Sequence, residues 1–146
     1  MEIDRPEVKA EVEAAFARYE RALFENDVET LEGLFWDEAR TIRYGIGENL
    51  YGMDAIRAFR RARSPVGLSR SLQRTVITTF GTDFATASTL FFRDGNPGKV
   101  GRQMQSWARL PEGWRLDADF VSLVSGSTTR SSELGRSPCG RQWSTS

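Results

Sequence analysis

Apolar residues recur at three- and four-residue intervals over the first third of the chain and alternate with polar ones over much of the rest. Val8, Val12, Ala15, Phe16, Tyr19 and Leu23 fall on one helical stripe, with Asp4 as a cap candidate ahead of Pro6 and Glu7. Asn26 or Asp27 can cap a second, shorter helix carrying Val28, Leu31, Leu34 and Phe35, so the two helices form a hairpin. The β-branched and aromatic run around Ile42-Arg43-Tyr44 ends at Gly45 and Gly47 and reads as a short strand. Asp54 to Arg63 reads as a third helix with Ile56 and Phe59 inward, closed by Ser64-Pro65 and Gly67.

From Leu68 onward the period changes to that of strands: Leu72 to Phe80, Phe84 to Arg93, Val100 to Leu110 and Trp114 to Val124. The breaks Gly81-Thr82-Asp83, Asp94-Gly95-Asn96-Pro97-Gly98 and Pro111-Glu112-Gly113 supply the residues that tight hairpin connections need. The order of elements, two helices, a strand, a helix and a four-stranded antiparallel meander, predicts an α+β domain with helices on one face of a curved sheet. In the last two strands Met104, Leu116 and Phe120 share one parity, and Trp107, Val121 and Leu123 the other. Both faces therefore carry large apolar groups, which predicts a homodimer through the open face, with Trp107 or Val121 and Leu123 at the contact, unless a β-bulge breaks the parity.

Residues 1–124 thus form one domain, a size that buries a proper core without disulfides or metals. Residues 125–146 are rich in Ser, Thr, Gly and Arg without an apolar period and read as a flexible tail; Cys139 within it carries no functional weight. With 39% hydrophobic and 27% charged residues and a formal net charge of zero, nothing in the composition calls for a nucleic acid or membrane partner. The charged N-terminus and the lack of a spanning apolar run lead us to expect a cytoplasmic protein. Arg57, Arg60, Arg61 and Arg63 cluster near the end of the third helix, where cations complement the macrodipole, and read as a solvated face.

The chain has no histidine and one cysteine. That removes Ser-His and Cys-His nucleophile pairs and the usual zinc sites, so any catalysis runs on Tyr, Arg, Asp, Glu or water. Arg43 is then the informative residue. A guanidinium stays charged and offers a planar fork of donors, so within an apolar strand it meets either an anionic ligand, suited to a carboxylate or carbamate, or solvent or an internal acid. Polar residues inside apolar strands, Arg74, Ser88, Arg102 and Gln105, are candidate pocket liners, with Asn49 and Tyr51 at the rim. Arg74 and Arg102 can equally pair with Asp117, Asp119 or Glu residues on a solvent face. No phosphate loop, nucleotide fingerprint or metal-spaced carboxylate set occurs, so no cofactor and no metal are expected.

The helical Phe16-Ala17-Arg18-Tyr19-Glu20-Arg21-Ala22-Leu23, then Leu34-Phe35-Trp36, Thr41-Ile42-Arg43-Tyr44-Gly45, Glu48-Asn49-Leu50-Tyr51-Gly52 and Ile56-Arg57-Ala58-Phe59-Arg60, resemble the AtzH-like proteins of the SnoaL-like branch of the nuclear transport factor 2-like superfamily. Arg74-Thr75-Val76-Ile77-Thr78-Thr79, Ala85 to Phe91, Gly101 to Trp107 and Pro111-Glu112-Gly113-Trp114-Arg115 extend the likeness. The resemblance implies a cystatin-like cone of curved antiparallel sheet on three helices, dimeric through the sheet. It implies a cofactor-independent, decarboxylating amidohydrolase step in cyanuric acid and s-triazine catabolism, 1,3-dicarboxyurea to allophanate. It places the functional Tyr and Arg at Tyr19 and Arg43. The family's last strand often carries a histidine, which falls most naturally at Phe120 here, so the chain departs from the pattern at that point. The competing expectation is a non-catalytic binder of small carboxylates, or an accessory partner of an amidase, on the same fold.

Overall fold

A computed structural model describes residues 1–126 and contains three helices and six strands among them. Helix α1 (Pro6–Glu25) buries Val8, Val12, Phe16, Tyr19 and Leu23, the stripe its period predicts. Asp4 does not cap it. Arg5 occupies that position without a side-chain cap bond, while Asp4, in the left-handed region at φ 57°, accepts from the Thr79 amide at 2.9 Å and ties the N-terminus to a strand. Helix α2 (Val28–Gly33) is capped by Asp27, which accepts from the Thr30 amide; Asn26 instead ends α1 in the left-handed conformation.

Strands β1 (Ile42–Tyr44) and β2 (Asn49–Tyr51) form a small hairpin, so the segment holds one strand more than the sequence pattern suggests. Helix α3 (Met53–Ala62) follows, then β3 (Ser71–Phe80), β4 (Phe84–Phe92), β5 (Lys99–Leu110) and β6 (Gly113–Ser125). The sheet order is β2-β1-β6-β5-β4-β3, antiparallel throughout except where β1 lies parallel to β6. That one parallel pairing brings Arg43 beside Asp119.

The helices cover one face. Val12, Phe16, Leu31, Leu34, Phe35 and Ile56 meet Ala85, Ala87, Trp107 and Leu116 of the sheet there. Each large apolar side chain so buried contributes about 1.5–3 kcal/mol, and the core is continuous. The parity expected for β6 fails at a bulge: Ser106 pairs with Ala118 but Trp107 with Leu116, leaving Asp117 as the extra residue. Leu116 therefore joins Trp107 in the core instead of sharing a face with Met104 and Phe120. Trp107 and Val121 are buried under the helices, so neither is free to form the expected contact, and the outer face exposes Met104, Phe120, Val76, Phe84 and Tyr51.

Ser125 still belongs to β6, and the Gly126 amide bonds to the Gly98 carbonyl, so ordered structure runs slightly past residue 124. The remainder of the expected tail, with Cys139, lies outside the described residues. Among the described residues no helix is long and apolar enough to cross a membrane.

Candidate active site

A cavity of about 230 Å³ opens between α1, α3 and the covered sheet face, lined in part by Tyr19, Arg43, Glu48, Phe59, Arg60, Arg63, Arg70, Arg93 and Gln103. Tyr19 reaches it from the buried stripe of α1, Arg43 from the inward position of β1. The two residues singled out from different elements thus share one cavity.

The Tyr19 hydroxyl sits between two charges. Arg60 Nη2 donates to it at 2.9 Å, and the hydroxyl in turn lies 3.4 Å from Asp119 Oδ2, a long contact for an O–H donor. Arg43 Nε stands 3.4 Å from that same Asp119 oxygen, and its Nη1 donates to Glu48 Oε2 at 2.6 Å across the hairpin. Gly45 makes room for this pair, because a Cβ there would fall 1.9 Å from Glu48 Oε2. Gln103 Nε2 donates to Asp119 Oδ1 at 2.7 Å, and Arg70 donates to Gln103 Oε1 at 2.6 Å while pairing with Glu20. Tyr19, Arg60, Asp119, Arg43 and Gln103 are therefore one buried network.

Its electrostatics favour an anion. Five arginines, at 43, 60, 63, 70 and 93, line the cavity, and the carboxylates bonded to this set are Glu20, Glu48 and Asp119. Burial lowers the Arg43 pKa, but Asp119 above all, with Tyr19 and Glu48, outweighs that and holds it above the ordinary value. The opposite balance holds at Arg63, where burial and then the neighbouring Arg60 and Arg43 push the guanidinium down to about 10. Arg93 is lowered too, by burial and then by Arg70. Arg60 Nε and Nη1 and Arg63 Nε and Nη2 are buried without a hydrogen-bond partner. Such donors are costly unless something accepts from them.

Two arginines read as solvated do lie outside, Arg57 on Asp37 and Asp54, Arg61 on Glu32. Arg60 is 2% exposed and Arg63 turns into the cavity, which corrects the reading for that half of the cluster. Arg60 lies four residues after the buried Ile56 and seven after Met53, so the helical period alone marks it as inward. Asp119 shares parity with Val121, but its partner strand β1 is remote in sequence, and nothing local announces the pairing.

The other expected liners separate. Arg74, Ser88 and Arg102 occupy the outer face, where they surround a second, shallower depression with Met104 and Phe120. For Arg102 and Ser88 the pleat decides this, since they flank inward Gln103 and Ala87; for Arg74 the cause is a register shift between Gln73 and Val76, with Arg74 at φ 55°. Arg102 Nε donates to Ser122, not to an acid. Gln105 points inward yet is taken up by the Trp107 indole, which donates to its Oε1 at 3.1 Å. Asn49 and Tyr51 are exposed on β2, Tyr51 against Tyr44, and the rim is formed by Ile46 and Glu48 instead. Phe120, the position to which the resemblance assigns a histidine, is also on the outer face.

On the cavity wall Phe91 lies against Gly101 behind it, where a Cβ would sit 2.2 Å from the ring, and carries the guanidinium carbons of Arg70 and Arg93 at 4.5 and 5.4 Å from its centroid.

A curved six-stranded sheet with three helices over a polar cavity is the fold of the nuclear transport factor 2-like, cystatin-like proteins. An NTF2-like protein with a cystatin-like fold from Novosphingobium aromaticivorans matches over 83% of this chain and 84% of its own, with 26% identity and a TM-score of 0.63. The chain belongs to the AtzH-like family, whose model matches residues 1–127. A DUF3225-family protein of unknown function from Pectobacterium atrosepticum SCRI1043 is 57% identical, covering 84% of this chain and 95% of that one at a TM-score of 0.82. A cystatin-like fold protein from Burkholderia xenovorans LB400 is 55% identical, covering 86% and 98% at the same TM-score. No curated protein sequence matches.

Proposed function

We propose that this protein is a cofactor-independent decarboxylating amidohydrolase that converts 1,3-dicarboxyurea to allophanate in cyanuric acid breakdown. The observation that carries the reading is the Tyr19 hydroxyl, held by Arg60 at 2.9 Å in the same arginine-lined cavity as Arg43. Membership of the AtzH-like family supports it.

The substrate is a small planar dianion with a carboxylate on each nitrogen. Arg43, already buried and oriented by Asp119 at Nε and Glu48 at Nη1, offers its remaining donors, Nη2 foremost, to one carboxylate. In the reaction the bond between that nitrogen and its carboxyl carbon breaks, its electrons pass to nitrogen, and carbon dioxide leaves. The nitrogen must gain a proton, or charge accumulates on it.

Tyr19 supplies that proton. Its contact to Asp119 at 3.4 Å is long and weak, so the hydroxyl proton is readily redirected to a substrate nitrogen, and the phenolate left behind faces Arg60. Water then restores the phenol. One proton is consumed per carbon dioxide released, and neither a metal nor a redox partner is required by this balance.

The exposed apolar outer face supports a second copy of the chain seated through the sheet, and gives the accessory reading, an amidase partner, its one specific observation. Incubating the purified protein with 1,3-dicarboxyurea while following allophanate and carbon dioxide tests the catalytic reading. No acceleration over the spontaneous reaction leaves small-carboxylate binding as the function.

A further inference from the structure

The cavity holds more positive charge than one carboxylate can use. Its five arginines face Glu20, Glu48 and Asp119, a surplus of two positive charges. The surplus is not evenly placed. Arg43 and Arg70 have the carboxylates, whereas Arg60, Arg63 and Arg93 have none within ion-pair distance among the described residues. Arg60 is engaged by Tyr19.

That leaves Arg63 and Arg93. Arg63 follows the end of α3 with Nε and Nη2 buried and unpartnered, and packs over Phe59, the ring that Arg43 also approaches. Arg93, just past β4, donates Nη1 to the Gly67 carbonyl at 2.6 Å and rests on Phe91, so its head is fixed in place. Both line the same cavity as half-buried like charges, Arg63 sharing the Phe59 ring with Arg43 and Arg93 the Phe91 ring with Arg70, and a bound anion relieves the cost of burying them.

We propose that Arg63 and Arg93 form a second anion seat, distinct from that of Arg43, which holds the carboxylate that is not expelled and selects doubly charged ligands over singly charged ones. This deepens the catalytic reading but does not depend on turnover. The seat also fixes polarity: a ligand anchored at Arg63 and Arg93 presents its other carboxylate to Arg43 and its nitrogen to Tyr19. A singly charged carbamate fills one seat only and is held less well.

The test is calorimetric titration of the full chain with malonate as a non-reacting dianion and acetate as the monoanion, on wild type, Arg63→Gln, Arg93→Gln and Arg63→Lys. Wild type is expected to bind malonate about tenfold or more tighter than acetate. Either glutamine variant is expected to lose most of that preference while acetate affinity stays within about twofold, and Arg63→Lys, which retains the charge, is expected to keep part of it. No preference for malonate in wild type, or an unchanged preference in both glutamine variants, overturns the proposal. Arg63→Lys also separates charge from folding, since a variant that binds neither ligand despite a native circular dichroism spectrum counts against the seat.

Failure of the two readings is distinguishable. Retained malonate selectivity without turnover of 1,3-dicarboxyurea removes the catalytic reading alone. Normal turnover with unchanged KM in Arg63→Gln and Arg93→Gln removes the second seat alone.

Discussion

Arg43 and Asp119 stand side by side in the parallel register of β1 and β6, the guanidinium Nε 3.4 Å from a carboxylate that is wholly buried. Asp119 is also within reach of the Tyr19 hydroxyl and accepts from Gln103. One side chain therefore orients both residues assigned to the chemistry.

Tyr19→Phe removes only the hydroxyl and leaves Arg60 Nη2 without its acceptor. Turnover of 1,3-dicarboxyurea is expected to fall by roughly 10² or more, while stability drops by only about 1–2 kcal/mol. Full activity in this variant excludes proton donation by Tyr19.

Arg43→Lys preserves charge but not the fork that meets a carboxylate along with Glu48 and Asp119. A KM increase of about tenfold is expected, larger than the change in kcat, measured by initial rates across substrate concentration. A selective loss of kcat with KM intact contradicts a binding role.

Asp119→Asn keeps the shape but deletes the charge facing Arg43. Because Arg43 still has Glu48, the expected cost is about 3 kcal/mol, toward the lower end for a broken buried pair. A shift of the urea midpoint without a change of slope measures it. An unshifted midpoint shows that Glu48 alone compensates Arg43.

The cap of α2 gives a pH signature. The Thr30 hydroxyl and amide hold the Asp27 carboxyl below its usual range, so its folded pKa is depressed. The unfolded state then binds the proton more readily, and the contribution of Asp27 is complete above the ordinary carboxylate pKa and lost as pH falls through the lower folded value. Acid unfolding of Asp27→Ala below about pH 4 is expected to be shallower than that of wild type. Parallel curves in thermal melts rule the linkage out.

The outer face carries the last expectation. Met104→Glu and Phe120→Glu place charge in the centre of the proposed contact, where these residues pair across β5 and β6. Light scattering at micromolar concentration is expected to change from dimer to monomer, with malonate affinity retained. A monomeric wild type removes the contact.

The period of the chain revealed the helices and the four long strands to within a residue or two at each end, because α1 and α3 each carry a buried stripe and the hairpins are marked by Gly, Pro and Asp. Tyr19 and Arg43 were legible as a pair through family likeness, and the structure joins them in one cavity. What was illegible depended on register. The bulge at Asp117 moved Leu116 across the sheet, and the shift near Arg74 carried that arginine outward. The β1–β6 pairing that places Asp119 in the network joins strands some seventy residues apart, a contact no local window contains. Arg60 is the instructive miss, since its spacing from Ile56 was visible but its charge argued for solvent.

The absence of a side chain at Gly101 has a consequence that reaches the ligand without touching it. Phe91 fills the space a methyl group would need, and Arg70 and Arg93 rest on its ring. A single added carbon at Gly101 would tip that ring and carry Arg93 with it. The choice between one and two negative charges in a ligand would then be governed from beneath the cavity floor, by a position that any list of ligand-contacting residues would omit.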